Sequence, residues 1–291
     1  MKFNLDPQRC LKFVVEPIIS DLVRLDFTKM NGAGNDFILV DNRDGKVCLS
    51  PPQIVRLCNR QRGVGADGLL ILIPCESGSA DWAWAFYNSD GSTAEMCGNG
   101  ARCFARYIQK LTGVRDVTSF ETGAGVIRAA FAEESVTVSL TPPSGLRLSE
   151  AVSTSSGVLA VHSVNTGVPH AVVFVPDVNR ALVDLLGREL RSHSHFSPRG
   201  TNVNFVEVKE PSFIRVRTYE RGVETETLAC GTGVTAAALI ASRVHAFPSP
   251  VKVLVQSGEV LEVTFELRGS QFCDVRLSGP ADFTFSGVLE I

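Results

Sequence analysis

Two cysteines occupy the same short motif, Cys97-Gly-Asn-Gly and Cys230-Gly-Thr-Gly, and each motif precedes a segment with helical periodicity. The glycines allow a tight turn, which predicts each cysteine at or just before a helix N-terminus. Unpaired backbone N–H groups there favour negative charge, so they lower a thiol's pKa toward neutrality and make its thiolate available. The same N–H groups can bind a carboxylate. The motifs therefore predict two reactive thiols beside an anion site.

Two such helix ends that face each other would hold a carboxylate with one sulfur on each side of its α-carbon. One thiolate could remove the α-proton, and the other thiol could return a proton from the opposite face. This two-base inversion needs no cofactor if the developing negative charge is stabilised. A phosphate-binding loop is disfavoured because no Lys-Ser or Lys-Thr follows either motif. A metal site at Cys97 and Cys103 is disfavoured because no histidine lies near them in the sequence.

The two motifs belong to a longer internal repeat. Cys97 and Cys230 are separated by 230 − 97 = 133 residues, and Gly34 and Gly167 by 167 − 34 = 133. Several blocks in the same order at a nearly constant offset predict two similar halves, joined near residues 142–144. Each half should present one of the two cysteine motifs.

Local patterns divide each half into many strands and few helices. Runs rich in β-branched residues predict strands, and a period of three to four residues predicts helices. A single long helix follows each cysteine motif, so we predict an α+β fold of two pseudo-symmetric lobes, each a curved sheet around a central helix. The predicted strands are 37–40, 69–73, 136–140, 171–175, 203–208, 213–218, 251–255 and 260–265, and the predicted helices are 52–59, 101–111, 180–190 and 234–242.

The composition is that of an ordinary soluble protein of 291 residues, 44% hydrophobic and 20% charged, with a net charge of −3. There is no basic block that could follow a nucleic-acid backbone, and no apolar run near the roughly 18 residues that a membrane span needs. The eight cysteines form no CxxC pair and fit no common zinc pattern. We expect a cytoplasmic protein that binds a small molecule, without metal, nucleic acid or membrane.

At these residues the sequence resembles the diaminopimelate epimerase family. The resemblance runs from about residue 25 to the end, and the asparagine after Cys97-Gly98 and the Tyr-Glu-Arg-Gly stretch favour this family over the related proline racemases. The stretches that carry it are MNGAGNDF (30–37), GVGADGLL (63–70), FYNSDGSTAEMCGNGARC (86–103), NTGVPHAV (165–172), GTNVNFV (200–206) and YERGVETETLACGTG (219–233).

The resemblance implies two barrel-like lobes, with the site in the cleft between them and a final strand that returns to the first lobe. The expected division is an N-terminal appendage at 1–24, an N-terminal lobe at 25–144 completed by 280–291, and a C-terminal lobe at 145–279. A homodimer, formed near Phe285, and the absence of a cofactor are implied as well.

The implied reaction interconverts LL- and meso-diaminopimelate, a step toward lysine and peptidoglycan precursors. Cys97 and Cys230 are implied as the two bases, with His170 and Glu220 tuning their pKa values, and Arg221 as the partner of the distal carboxylate. The implied substrate-binding residues are Asn35, Asn88, Gly98, Asn99, Asn202, Glu220, Arg221, Gly231 and Thr232.

One departure from the family pattern concerns the distal end of the substrate. Many members have Gly-Asn-Pro-His where this chain has Gly167-Val168-Pro169-His170, and some have glutamine where it has Gly68. Valine cannot donate or accept a side-chain hydrogen bond, and a polar site that lacks a partner discriminates less. The alternative is therefore a racemase of the same fold acting on another amino acid. A non-catalytic protein that binds small anions through two helix ends is the rival from another class.

Overall fold

The computed structural model describes residues 24–291. The appendage expected at 1–24 lies outside this range except for Arg24, which begins the first strand. The first half of the described chain contains β1 (Arg24–Gly32), β2 (Asn35–Asp41), α1 (Pro51–Cys58), β3 (Gly68–Pro74), β4 (Trp82–Asn88), α2 (Gly98–Thr112), β5 (Val117–Thr122), β6 (Gly125–Phe131) and β7 (Val136–Ser139).

The second half repeats this alternation with additional strands. It contains β8 (Ser144–Thr154), β9 (Gly157–Asn165), β10 (Pro169–Phe174), α3 (Val183–Arg191), β11 (Asn202–Glu210), β12 (Phe213–Glu220), β13 (Thr225–Thr227), α4 (Gly231–His245), β14 (Val251–Leu254), β15 (Val260–Arg268), β16 (Gln271–Gly279) and β17 (Asp282–Glu290). Within residues 24–291, no helix is both long and apolar enough to cross a membrane.

Strand pairing shows the duplication directly. From β1 to β7, neighbouring strands pair antiparallel, parallel, antiparallel, parallel, antiparallel and antiparallel. The series β9, β10, β11, β12, β14, β15 and β16 pairs with the same six orientations in the same order. Each parallel step contains one helix, α1 and α2 in the first lobe and α3 and α4 in the second. The prediction of an α+β fold with two pseudo-symmetric lobes is confirmed.

Each lobe also contains one strand that directly follows the last strand of the other lobe in the chain. β8 follows β7 in the chain but pairs with β9, and β17 follows β16 but pairs with β1. β7 and β16 pair directly with each other. The strands of both lobes therefore form one continuous hydrogen-bonded system.

The two central helices are fixed deep in the structure. α4 is buried from Gly231 to Ser242, because its sequence is apolar or small on every side. α2 is amphipathic and buries the side that packs against the sheet of its own lobe. α1 and α3 cover separate clusters on the outer faces of the sheets. The N-termini of α2 and α4 are thus held rigidly, since the core surrounds both helices.

Candidate active site

The N-termini of α2 and α4 meet between the lobes. Cys97 and Cys230 are the N-cap residues, each with an extended backbone. A β-carbon on Gly98 would lie 3.4 Å from Gly231 Cα, and one on Gly231 would lie 3.2 Å from Gly98 Cα. Either would also lie 3.1 Å from Leu277 Cδ2. Glycine at both positions therefore allows the two helix ends to approach this closely.

Asn99 connects the two helix ends. Its Nδ2 donates to the carbonyl oxygen of Ala229 (3.1 Å), the residue before Cys230, and lies 3.5 Å from Asn35 Oδ1. Its Oδ1 accepts from Arg102 Nη2 at 3.1 Å. Both groups of the amide are used, so the side chain is fixed across the junction of the lobes.

The Cys97 thiol lies beside Asn35. Cys97 Sγ is 3.6 Å from Asn35 Oδ1, and the backbone N–H of Gly100 donates to the sulfur at 3.5 Å. Asn35 Nδ2 donates to Asp67 Oδ2 at 2.5 Å. Because Asp67 engages the amide nitrogen, the amide oxygen faces the sulfur and can accept the S–H.

The Cys230 thiol lies at the end of a buried hydrogen-bond chain. Its Sγ is 3.5 Å from Thr232 Oγ1, which is 2.9 Å from His170 Nε2. Asn204 Nδ2 lies 3.2 Å from His170 Nδ1, and an amide NH₂ can only donate, so Nδ1 is the acceptor. The neutral ring then carries its proton on Nε2 and donates to Thr232. The threonine hydroxyl can in turn donate to the sulfur of Cys230.

Burial dominates the ionisation of both thiols. It raises the pKa of Cys97 to about 11 and also raises the pKa of Cys230, and the Glu220 carboxylate raises both. Hydrogen bonds from Gly100 and Gly233 backbone N–H groups act in the opposite direction. The helix ends thus favour the thiolate as predicted, but desolvation outweighs them. The prediction of a thiol pKa near neutrality is wrong for this structure.

His170 and Glu220 are also governed by burial. Desolvation, aided by the charge of Arg221, lowers the pKa of His170 to about 3, so the ring is neutral near pH 7. Desolvation raises the pKa of Glu220, whose carboxylate accepts from Thr227 Oγ1 at 3.0 Å and is close enough to Cys230 for the two groups to influence each other's pKa. Glu220 is therefore placed to exchange a proton with the Cys230 thiol.

Asn202 and Arg221 form a neighbouring pair in the second lobe. Asn202 Oδ1 accepts from the backbone N–H of Arg221 at 2.8 Å, and its Nδ2 donates to the carbonyl oxygen of Pro169 at 3.1 Å. Arg221 is half-buried, and its Nη1 donates to the carbonyl oxygen of Arg199 at 2.9 Å. The other N–H groups of its guanidinium have no hydrogen-bond partner within residues 24–291 and can bind a carboxylate.

Asn88 and Val168 contribute least to these contacts. Asn88 lies exposed at the end of β4 and donates to Ser92 Oγ at 3.0 Å, within its own turn. Val168 is half-buried, and its carbonyl oxygen accepts from Thr166 N at 3.2 Å. The structure thus brings together nine of the predicted residues around the helix ends and places Asn202 and Arg221 beside them, while the Asn88 side chain bonds within its own turn. The nine are Cys97, Cys230, His170, Glu220, Asn35, Gly98, Asn99, Gly231 and Thr232.

Three residues outside the predicted set hold members of it in place. Asp67 orients Asn35, Arg102 orients Asn99, and Asn204 orients His170. Asn204 could have been found from its position two residues after Asn202, since alternate strand residues share a face. Asp67 and Arg102 lie inside the family-like stretches. Asp67 is 32 residues from its partner Asn35, and Arg102 is three residues from Asn99, so no single sequence motif indicates both contacts.

The arrangement can hold a carboxylate and exchange a proton on either side of it. The two helix ends supply N–H donors, and each has as its N-cap residue a cysteine whose thiol can donate or accept a proton. Cys97 and Cys230 are not joined by a disulfide. Among residues 24–291, no group of three or more His, Cys, Asp or Glu side chains could hold a metal ion.

Comparison with known proteins connects this site to one family. The family model described as diaminopimelate epimerase matches residues 27–145 and 162–279. A diaminopimelate epimerase of Aquifex aeolicus is 44% identical over 276 residues, covering 91% of this chain and 98% of that protein. One from Chlorobaculum tepidum is 40% identical, covering 90% and 100%, and one from Archaeoglobus fulgidus is 39% identical, covering 92% and 98%.

Solved structures of lower identity share the fold. A hydroxyproline epimerase from Agrobacterium vitis superposes with a TM-score of 0.70 at 17% identity, covering 92% of this chain and 93% of that chain. A PhzF-family phenazine biosynthesis protein from Bacillus anthracis superposes with a TM-score of 0.71 at 14% identity, covering 93% and 100%. At these identities the likeness shows the two-lobe fold alone.

Proposed function

The chain belongs to the diaminopimelate epimerase family, and from this premise we propose that it interconverts LL- and meso-diaminopimelate with Cys97 and Cys230 as its two bases. The observation that carries the mechanism is the contact between the N-termini of α2 and α4, each of which has one thiol as its N-cap residue. The enzyme is an amino-acid epimerase that acts through its own side chains. Its reaction is a step toward lysine and peptidoglycan precursors.

The helix ends bind the reacting carboxylate. The backbone N–H groups that face it belong to Gly98 and Asn99 of α2 and to Gly231 and Thr232 of α4. Loss of the α-proton spreads negative charge onto the carboxylate oxygens. Preorganised N–H donors at two helix N-termini stabilise that charge as it develops.

The proton transfers balance across one turnover. One sulfur, as thiolate, takes the α-proton and becomes a thiol, while the other thiol donates its proton to the opposite face of the α-carbon and becomes a thiolate. The configuration is inverted, and the net charge of the site is unchanged. The two sulfurs have exchanged protonation states, which is the state required for the reverse reaction.

Glu220 provides a route to the thiolate in a buried site. Two adjacent anions would be costly there, so either the carboxylate or the thiol carries the single negative charge. A proton transfer from Cys230 to Glu220 creates the thiolate without adding charge. The hydrogen-bond chain from His170 through Thr232 then donates to the sulfur and stabilises it.

Arg221 and Asn202 bind the distal carboxylate and ammonium groups. A planar guanidinium can bind a carboxylate through two parallel hydrogen bonds. Asn88 adds a further polar group, whereas Val168 presents only its backbone. A racemase of the same fold acting on another amino acid is the second candidate function, because Val168 removes a polar side chain from the distal end.

The test is α-proton exchange in deuterated water, with LL-diaminopimelate compared against proline, glutamate and histidine. We expect exchange to be fastest with diaminopimelate. Faster exchange with another amino acid would select the second candidate. Carboxylate binding without any exchange would select the anion-binding protein. A Cys75→Ala variant controls for loss of a thiol, since Cys75 lies after β3 and hydrogen-bonds Glu121 rather than a site residue.

We propose further that the enzyme is a homodimer formed through β17. In the described part of the chain this strand pairs on one side only, with β1. Its apolar side chains Phe283, Phe285 and Val288 are 42%, 49% and 47% exposed. Exposed apolar side chains on an edge strand are typical of an interface. Sedimentation velocity should show a dimer that Phe285→Glu converts to a monomer, while Val117→Glu, at an exposed residue of β5, leaves it intact.

We also propose a cytoplasmic location. The mechanism needs both Cys97 and Cys230 as free sulfurs, and a reducing compartment preserves thiols. Cell fractionation with an antibody to the chain tests this, and recovery in an oxidising compartment would contradict it.

A further inference from the structure

Arg102 is a buried cation that has no carboxylate partner among residues 24–291. Its side chain is 0% exposed. The guanidinium donates to the carbonyl oxygen of Pro280 (3.2 Å), the carbonyl oxygen of Gly98 (3.4 Å) and Asn99 Oδ1 (3.1 Å). None of the ion pairs formed by residues 24–291 includes it.

The stability of the fold does not account for this residue. Lys29, the other Lys or Arg side chain buried in the described part of the chain, pairs with Asp36 at 2.8 Å. A buried charge without a counter-charge is costly, and an apolar side chain of similar volume is often the more stable choice. A cation near the start of a helix is also opposed by the helix dipole. Burial lowers the pKa of Arg102, which shows the same cost, although the guanidinium remains charged.

The position of the guanidinium suggests its use. Two of its hydrogen bonds go to Gly98 and Asn99, the first two residues of α2 and the ones that face the substrate carboxylate in the proposed function. Through Asn99 it also fixes the contact to Ala229, next to Cys230. The equivalent residue of the second lobe, 133 positions later, is Thr235, a neutral residue whose Oγ1 donates to the carbonyl oxygen of Gly231 at 2.9 Å.

We propose that Arg102 is a positioning residue of the epimerase: it holds Asn99 across the two helix ends and places a positive charge behind the carboxylate site, where it stabilises the negative charge formed when the α-proton leaves. This inference rests on the proposed function. The buried positive charge behind the helix ends belongs to the first lobe, since the second lobe has the neutral Thr235 at the equivalent position.

The test compares Arg102→Met, which keeps the volume and removes the charge, with Arg102→Lys, which keeps the charge. The matched control is Arg106→Met, one turn later in α2, where the arginine donates to Gln109 Oε1 at 2.9 Å and is half-buried. For each variant kcat and KM for diaminopimelate are measured across pH, with folding checked by circular dichroism and thermal unfolding.

We expect Arg102→Met to lower kcat by about 100-fold or more, with a smaller change in KM. Arg102 lowers the pKa of Cys97, so its loss should move the pH profile to higher pH. Arg102→Lys keeps the positive charge, so it should stay within about tenfold of wild type with an unmoved pH profile. Arg106→Met should behave as wild type.

A folded Arg102→Met enzyme with nearly wild-type kcat and an unmoved pH profile would overturn the proposal. If Arg102→Met does not fold, the Arg102→Lys variant decides. A folded lysine variant that is active and has the wild-type pH profile supports the role of the charge. A folded but inactive lysine variant overturns it. A wild-type enzyme that exchanges no α-proton from diaminopimelate would instead remove the proposed function, and this inference with it.

Discussion

The two lobes present their thiols from the same backbone position but surround them with different side chains. At the constant separation of 133 residues, Asn35 corresponds to Val168, Phe37 to His170 and Arg102 to Thr235. The strand register supports this correspondence, since Phe37 is paired with Gly68 in the first lobe and His170 with Asn202 in the second. Duplication has preserved the two helix ends, while the residues around them have diverged.

The difference between the side chains around the two thiols follows from the reaction proposed for the site. The two bases act on opposite faces of one α-carbon, so they need matching geometry. The other substituents of that carbon are not related by symmetry, so the walls of the site cannot match. The first lobe stabilises its thiol with an amide and a buried cation nearby, and the second lobe uses a neutral hydrogen-bond chain through His170 and Thr232.

Removing one thiol at a time should produce the largest effect and test whether the lobes are equivalent. Cys97→Ala and Cys230→Ala should each reduce epimerisation by about 10²–10⁴-fold, since each variant lacks one of the two acid–base groups. The remaining thiol still faces one side of the substrate. Each variant should therefore exchange the α-proton of one stereoisomer only, with opposite preference in the two variants, as measured by NMR in deuterated water.

The contradictory result is a variant that exchanges both stereoisomers equally. It would mean that one sulfur reaches both faces, and the division of labour between the lobes would be wrong. Cys75→Ala, outside the site, should retain wild-type exchange with both isomers.

A matched pair of glycines tests how tightly each helix end is packed. A β-carbon on Gly233 would lie 2.4 Å from Asn204 Oδ1, whereas one on Gly100 would lie 3.4 Å from Phe37 Cζ. Asn204 cannot move freely, because it bonds Thr218 as well as His170. Gly233→Ala should destabilise the fold by about 1–3 kcal/mol through overpacking. Gly100→Ala should be neutral or stabilising by up to about 1 kcal/mol, because alanine is the better helix former.

The difference in unfolding free energy between the two variants is measured from the midpoints of urea unfolding curves, provided that the m-value is unchanged. Equal destabilisation by the two alanines would show that the second helix end is no more tightly packed than the first.

Breaking the hydrogen-bond chain of the second lobe should have a smaller effect that depends on pH. The Thr232 hydroxyl lowers the pKa of Cys230, so Thr232→Val should raise it and leave less thiolate at pH 7. We expect kcat/KM at pH 7 to fall about tenfold, equivalent to roughly 1.4 kcal/mol, and the pH profile to move to higher pH. Thr235→Val, on the same helix but bonded to the Gly231 carbonyl oxygen, should leave the profile in place. A profile that does not move in Thr232→Val would remove the chain from the mechanism.

The two-lobe architecture was predictable because the sequence contains an internal repeat. The predicted strands and helices all overlap observed elements of the same type, and the constant offset between blocks indicated two lobes. The pairing of β17 with β1 could not be derived from local pattern, since its partners, such as Arg24 and Glu290, lie at opposite ends of the described chain. Nine of the described strands were not predicted from local pattern, namely β1, β4, β5, β6, β8, β9, β13, β16 and β17. In β4 the aromatic residues of WAWAF favour a strand, but the alternating alanines weaken that pattern.

The placement of the thiols was predictable, and their electrostatics were not. A cysteine followed by glycines before a helical period is a local pattern, and α2 and α4 begin directly after the two cysteines. The direction of a pKa shift depends on how much of the surrounding chain covers the sulfur, which no spacing reveals. The supporting residues depend on distant contacts as well: Arg102 bonds Pro280, 178 positions away.

Val168 offers the smallest expected effect and the sharpest test of what the second lobe recognises. It corresponds to Asn35 of the first lobe and precedes Pro169, whose carbonyl oxygen accepts from Asn202. Val168→Asn would supply an amide close to the residues proposed to bind the distal end. One added hydrogen bond of about 0.5–1.5 kcal/mol should lower KM for diaminopimelate about two- to tenfold, with kcat little changed. Val158→Asn, at a valine that is 68% exposed on β9, controls for the substitution itself. A Val168→Asn enzyme that loses activity on diaminopimelate would show that the valine contacts the substrate productively. In that case the second lobe is shaped for an apolar group, and the difference between the lobes extends from their thiols to the substrate they select.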